Sequence, residues 1–235
     1  IKNNHYDEYD NSIIPHKAEA IKTLSEAFVL PPITKNGSDK DKLFSIGELL
    51  NDSANIVLFG SHESGKTTLL YRMIIELVDN HHVFQTIPVY IDFESIGNRD
   101  IETCIKCYLD CNSSELDKLL NGNFITLFID NYSPNESNKH ICNKLNQFAK
   151  DNYIRIIATS KSDFNGSFIN SYTANNPIAF ENYNIKPFNA ENIRQLMIKW
   201  SPGGNFEDTN TKIQRMVSSF CSYSLPCTAM SVSLY

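Results

Sequence analysis

GSHESGKT, Gly60 to Thr67, fits the pattern G-x-x-x-x-G-K-[ST], and its reading decides the fold. Two glycines let the backbone turn tightly, so that successive N–H groups converge on one point against the positive end of the next helix. A polyphosphate is the ligand such a cradle suits. Gly60, Ser61, Ser64, Gly65 and Thr68 supply the cradle, Lys66 is expected to reach the β- and γ-phosphates, and the Thr67 hydroxyl to ligate Mg²⁺. The context supports this. Ile56-Val57-Leu58-Phe59 reads as a short buried strand before the loop, and Leu69, Leu70, Met73, Ile74, Leu77 and Val78 recur at helical spacing after it.

Working outward, Thr86 to Phe93, Phe124 to Asp130, Tyr153 to Ser160 and Tyr183 to Pro187 read as four further strands, the last at an edge. Helices are expected over His16 to Phe28, Ser45 to Leu50, Asp100 to Leu109 and His140 to Lys150, and loops over Lys35 to Lys42 and Phe164 to Pro177. Strands alternating with helices imply parallel order and a ligand at the carboxyl ends of the strands. The expected fold is therefore α/β, a five-stranded, mainly parallel sheet sandwiched by helices.

Asn189 caps a helix whose stripe is Ile193, Leu196, Met197 and Trp200. Ser201 to Gly204 stops it, a second helix runs from about Thr211, and a third starts after Ser224-Leu225-Pro226. This is a small C-terminal helical lid. The expected division is 1–50 as a strap with helices, 51–188 as the nucleotide-binding domain and 189–235 as a truncated lid. A chain opening at Ile1 suits a piece of a longer polypeptide.

Asp130 ends an apolar strand and is placed to hold the Mg²⁺ water shell opposite Thr67. Many such sites carry a second acid next, to polarise the attacking water. Here Asn131, Tyr132 and Ser133 follow, so either Asp92 or Glu94 serves as the base or hydrolysis is slow, and slow turnover is the favoured reading. Thr159 and Ser160 end the fourth strand, where a hydroxyl could sense the γ-phosphate, with Lys161 adding charge. Ser160-Lys161-Ser162-Asp163 approaches the N-K-x-D guanine signature. However, Asp92 has no glycine at the fourth place, which disfavours a GTPase.

The chain has 235 residues, 21 Lys+Arg and 27 Asp+Glu, for a net charge of −6, with no basic cluster of the kind a nucleic-acid groove needs. No apolar run approaches the roughly 18 residues of a membrane span. Six cysteines beside a phosphate loop suit the cytoplasm. Cys104, Cys107 and Cys111 are read as one buried helix stripe with Ile101 and Tyr108, and His81-His82 as a solvated helix end.

Together these stretches resemble a STAND-class P-loop NTPase of the NACHT-like bacterial kind, signalling ATPases related to AAA+ proteins. The residues that carry the resemblance are Phe28 to Pro31, GSHESGKT, FITLFIDN, IIATSK, NIKPFNAENIRQLMIKW and the SLP turn. The resemblance implies that Val29 and Pro31 flank an adenine, that Pro226 covers it from the lid, and that Thr159 to Lys161 act as sensor. ATP or ADP with Mg²⁺ would be the cofactors, and Lys66, Asp130, Thr159 and Ser160 the catalytic group. It further implies a latch between a closed ADP-like monomer and an open ATP-bound homo-oligomer, flanked by an N-terminal effector and a C-terminal sensor, and many bacterial members act in antiphage defence. The departures are the missing second acid, Lys161 in place of arginine, and no winged-helix region after Tyr235. The alternatives are an AAA-type motor or DNA-linked ATPase, a GTPase, and a binding module with a decayed site.

Overall fold

Ile56 to Phe59 is apolar at every position because both faces of its strand are covered. Ile56 and Leu58 join one buried cluster and Val57 and Phe59 another. The computed structural model describes residues 23–37, 42–97, 99–160, 177–200, 206–223, 225 and 227–234.

In chain order the elements are α1 (Leu24–Ala27), β1 (Ile33–Lys35), α2 (Ile46–Asn51), β2 (Ile56–Phe59), α3 (Lys66–Asp79), α4 (His81–Phe84), β3 (Ile87–Asp92), α5 (Phe93–Ile96), α6 (Ile101–Leu109), α7 (Ser113–Asn121), β4 (Ile125–Tyr132), a 3₁₀ turn (Glu136–Asn138), α8 (Lys139–Asp151), β5 (Arg155–Ser160), β6 (Glu181–Ile185), α9 (Ala190–Trp200), α10 (Phe206–Ser222) and α11 (Ala229–Leu234). The strands form one sheet in the order β1-β6-β2-β5-β4-β3, with β1 antiparallel to β6 and every other pair parallel. One face carries α2 and α3, the other α5 to α8. Because β2, β4 and β5 run the same way, their carboxyl ends meet on one edge of the sheet.

The fold class is α/β as expected, but the sheet has six strands instead of five. The extra strand, β1, is three residues long and follows Pro31-Pro32, too short for any periodic signal. Its partner β6 is consequently an interior strand. The polar sequence Glu181-Asn182-Tyr183-Asn184 reads as an edge, yet Tyr183 is almost wholly buried, with the Phe44 ring edge-on at 5.1 Å. A Lys35–Glu181 ion pair at 2.6 Å and bonds from Asn36 N to Asn182 O and Lys186 N to Pro32 O, each 2.8 Å, fasten the pair.

Helices α5 and α7 are further additions to the sequence reading; α7 opens on a reciprocal capping box between Asn112 and Glu115. The cysteine stripe is corrected as well. Cys107 is exposed, Cys104 is only half-buried, and Cys111 lies beyond the end of α6. The C-terminal helices share their own core of Ile193, Leu196, Ile213, Met216, Phe220 and Val232, which Val29 and Phe188 enter from outside the group. The expected helix from His16, the loop from Phe164 and the stop at Ser201 to Gly204 lie largely outside the described residues.

Candidate phosphate and metal site

Helix α3 begins differently from its neighbour α2. The latter has a reciprocal Ser45–Glu48 capping box, whereas α3 has Gly65 at its N-cap, no side-chain cap and no acid in its first turn. No side-chain cap or first-turn acid therefore competes with an anion at this end of the helix. The loop conformation is specific. Glu63 (φ 60) and Gly65 (φ 85) are left-handed, and a non-glycine residue is held there only when its surroundings demand it. Gly60 is required by packing, since a Cβ on it would overlap Ser64 Oγ and lie 3.2 Å from Ile185 Cβ. Ser64 Oγ is buried and has no hydrogen-bond partner among the described residues.

Lys66, Thr67 and Thr68 form the first turn of α3, half-buried. Lys66 Nζ donates to Gly60 O at 2.7 Å and Ser61 O at 2.9 Å, so the ammonium lies inside the bend of its own loop.

Asp130 is the hub of the other half. Alternation along β4 puts it on the α3 face with Phe128, and alternation along β5 puts Thr159 there with Ile157. The pairing of β4 with β5 slips by one residue between Ile129 and Tyr132, and Asn131 sits in this bulge at φ 57. The carboxylate, 2 % exposed, accepts four hydrogen bonds. Oδ1 takes the Asn131 N–H at 3.0 Å and the Thr159 hydroxyl; Oδ2 takes the Thr67 hydroxyl at 2.8 Å and the Tyr90 hydroxyl at 3.1 Å. Burial first, and the Asp130 charge second, hold the Tyr90 phenol far above its usual range, so it stays a donor.

The structure thus joins Thr67 to Asp130. It also gives Thr159 a use other than the expected one. The Thr159 hydroxyl donates to Asp130 and accepts the Asn131 N–H at 3.1 Å, so its single proton is spent inward. Ser160 beside it is buried at 1 % exposure. Asp92 pairs in register with Asp130, and the Asn131 side-chain amide donates to it at 3.2 Å, whereas Glu94 is exposed on α5. Val29 and Pro31 are both buried, Val29 against the C-terminal helices. That segment is clamped from α9: Lys199 Nζ donates to Phe28 O at 2.7 Å and Asn192 Nδ2 to Leu30 O at 3.1 Å. Lys161 and Pro226 lie outside the described residues.

Oxygen donors alone, one hydroxyl and one carboxylate, suit a hard cation such as Mg²⁺. The hydrogen bond itself is favourable for this. With its proton on Asp130, Thr67 Oγ1 keeps its lone pairs for a metal.

Sequence reasoning missed Tyr90, Asn192 and Lys199. Tyr90 alternates with Asp92 along one strand, which is a usable signal, but the clamp on Phe28 and Leu30 spans over 160 residues and has none. A separate cleft of about 230 Å³ lies at the opposite edge of the sheet, lined by Asp52, Thr86, Thr126 and Arg155 among others. Arg155 spends its guanidinium there on Leu49 O, Leu50 O and Ala54 O at 2.6, 2.7 and 2.9 Å. Its role is to fasten α2 to β5.

No protein-family model matches the chain, and no curated protein matches it. Among solved structures it is similar to the Aeropyrum pernix ORC2 protein in ADPNP–ADP complexes, at 12% identity and a TM-score of 0.46, over 86% of this chain and 56% of that one. AMPPCP-bound DnaA from Aquifex aeolicus is similar at 14% identity and 0.43, over 74% and 58%. The Aeropyrum pernix ORC1 protein in complex with DNA is similar at 10% identity and 0.41, over 63% and 44%. The chain spans little more than half the length of the first two, and the functional reading rests on its own residues.

Proposed function

We propose that this chain is an ATP-binding, slowly hydrolysing switch domain of a larger signalling protein. The observation that carries the reading is the Thr67–Asp130 hydrogen bond, which brings a phosphate-loop hydroxyl and a strand-end carboxylate into one corner beside an uncapped helix start. In this reading the loop amides and Lys66 take the β- and γ-phosphates, and Thr67 with Asp130 holds Mg²⁺, which neutralises phosphate charge when bound. Thr159 keeps Asp130 in place, while Ser160, next along β5, alternates with Ala158 to the other face of the sheet. Slow turnover is supported by Asn131, an amide that can orient water but takes no proton near neutral pH. The nearby carboxylate of Asp92 is already engaged by that amide.

The C-terminal helices make the site a latch. A nucleotide at 100 times its Kd for one lid position favours that position by about 2.7 kcal/mol. Flanking effector and sensor modules, a homo-oligomeric active state and a role in antiphage defence extend the reading along the STAND-class resemblance. The net charge of −6 weighs against a DNA-linked motor.

Mass spectrometry of nucleotide released from the purified protein is expected to find ADP or ATP, with little steady-state turnover. GTP displacing that nucleotide better than ATP would overturn the adenine assignment, and rapid hydrolysis would overturn the slow switch.

A further inference from the structure

Tyr90 lies on β3 opposite Phe128 of β4, so its ring stands on the α3 face just below Asp130 and its hydroxyl extends up to the carboxylate. It meets Oδ2, the same oxygen that receives the Thr67 proton. Tyr71, one helical turn beyond Thr67 on α3, packs against the Tyr90 ring with centroids 5.4 Å apart and planes tilted by 58°. Helix α3 therefore reaches Asp130 by two routes. Thr67 touches it directly, and Tyr71 touches it through Tyr90. The other oxygen is held from the β5 side by Thr159 and by the Asn131 N–H.

These two routes make different demands on the hydroxyls. In the phosphate-loop reading Thr67 shares its oxygen with the metal, whereas Tyr90 faces Asp130 from the sheet and donates its proton to the carboxylate. We propose that Tyr90 is a positioning residue for magnesium, fixing the rotation of the Asp130 carboxylate so that the Thr67 hydroxyl and the metal's water shell meet it in one geometry. The inference rests on the phosphate-loop reading above and deepens it. Tyr71 supports Tyr90 in turn, which ties metal loading to the helix whose first turn carries Lys66 and Thr67.

The test is the magnesium dependence of nucleotide affinity in the 235-residue protein, measured by titration calorimetry with ADP and with ATP, in EDTA and across a MgCl₂ series. Tyr90→Phe keeps the ring and its packing and removes only the donor. The expected result is a magnesium midpoint raised about tenfold, the lower end for losing a group that orients a metal ligand, with affinity in EDTA unchanged. Tyr71→Leu, which takes away the ring packed against Tyr90, is expected to raise the midpoint by a smaller factor. An unchanged midpoint in Tyr90→Phe, or equal losses with and without magnesium, would overturn the inference while leaving the phosphate-loop reading intact. Wild-type protein that binds nucleotide no tighter with magnesium would overturn the metal corner and this inference together. Failure of the wild type to bind nucleotide at all would overturn the underlying reading.

Discussion

Replacing Lys66 by alanine tests the phosphate site most directly, and its size follows from what the ammonium does without ligand. Nζ already holds two carbonyl oxygens, Gly60 O at 2.7 Å and Ser61 O at 2.9 Å, so binding gains only the surplus of phosphate over those partners. A hydrogen bond to a charged group is worth about 1.5–3 kcal/mol, and two unit charges 4 Å apart near a protein surface attract by about 4 kcal/mol. Where phosphate oxygens replace the two carbonyls bond for bond those contributions cancel, and the charge attraction that is left, about 4 kcal/mol at most and about 2 kcal/mol with more solvent around it, is a loss of roughly 30- to 700-fold in affinity. The assay is titration with a fluorescent adenine nucleotide, beside a melt without nucleotide. The melting temperature without nucleotide should fall as well, because the lost bonds to Gly60 O and Ser61 O are part-buried. An affinity within threefold of wild type would refute the reasoning, and so would a nucleotide-induced thermal shift that survives the substitution.

Two further substitutions probe the scaffold. Gly60→Ala places a methyl against Ser64 Oγ and Ile185 Cβ and is expected to destabilise by about 1–3 kcal/mol and to weaken nucleotide binding; adding Ser64→Ala should recover part of the melting temperature. Arg155→Leu removes three bonds from a half-buried guanidinium to the end of α2 and the turn into β2, an expected cost of about 3–4 kcal/mol in chemical denaturation, with nucleotide affinity of the folded fraction unchanged. A loss below 1 kcal/mol would show that water replaces those bonds.

The parts legible in the sequence were those with a local pattern. GSHESGKT, the apolar runs before it and in FITLFID, and the helical stripe of α3 announce a loop between a covered strand and a helix. That Asp130 would face Thr67 followed from parallel order, without knowledge of any contact. What escaped was set by partners far along the chain. Strand β1 exists because β6 offers it an edge, and β6 is interior for the same reason, neither of which three residues after two prolines can declare. The spent hydroxyl of Thr159 depends on a one-residue bulge at Asn131, and register slips leave no trace in composition. Cys111 fell outside its helix because α6 stops at Leu109, with Asp110 left-handed behind it.

The strap from Phe28 to Lys35 joins two bodies that the nucleotide reading separates. At one end Phe28 O and Leu30 O are gripped by α9, and at the other Ile33 to Lys35 are stitched onto β6, the strand beside the phosphate-loop strand. Such a tether has almost no slack: four residues lie between the first grip, Phe28, and the first stitch, Ile33. A swing of the C-terminal helices, which the proposed latch calls for, would have to let go of two carbonyls or tug on the sheet's margin. In that proposal the strap is gearing, turning a rotation outside the sheet into tension along its edge.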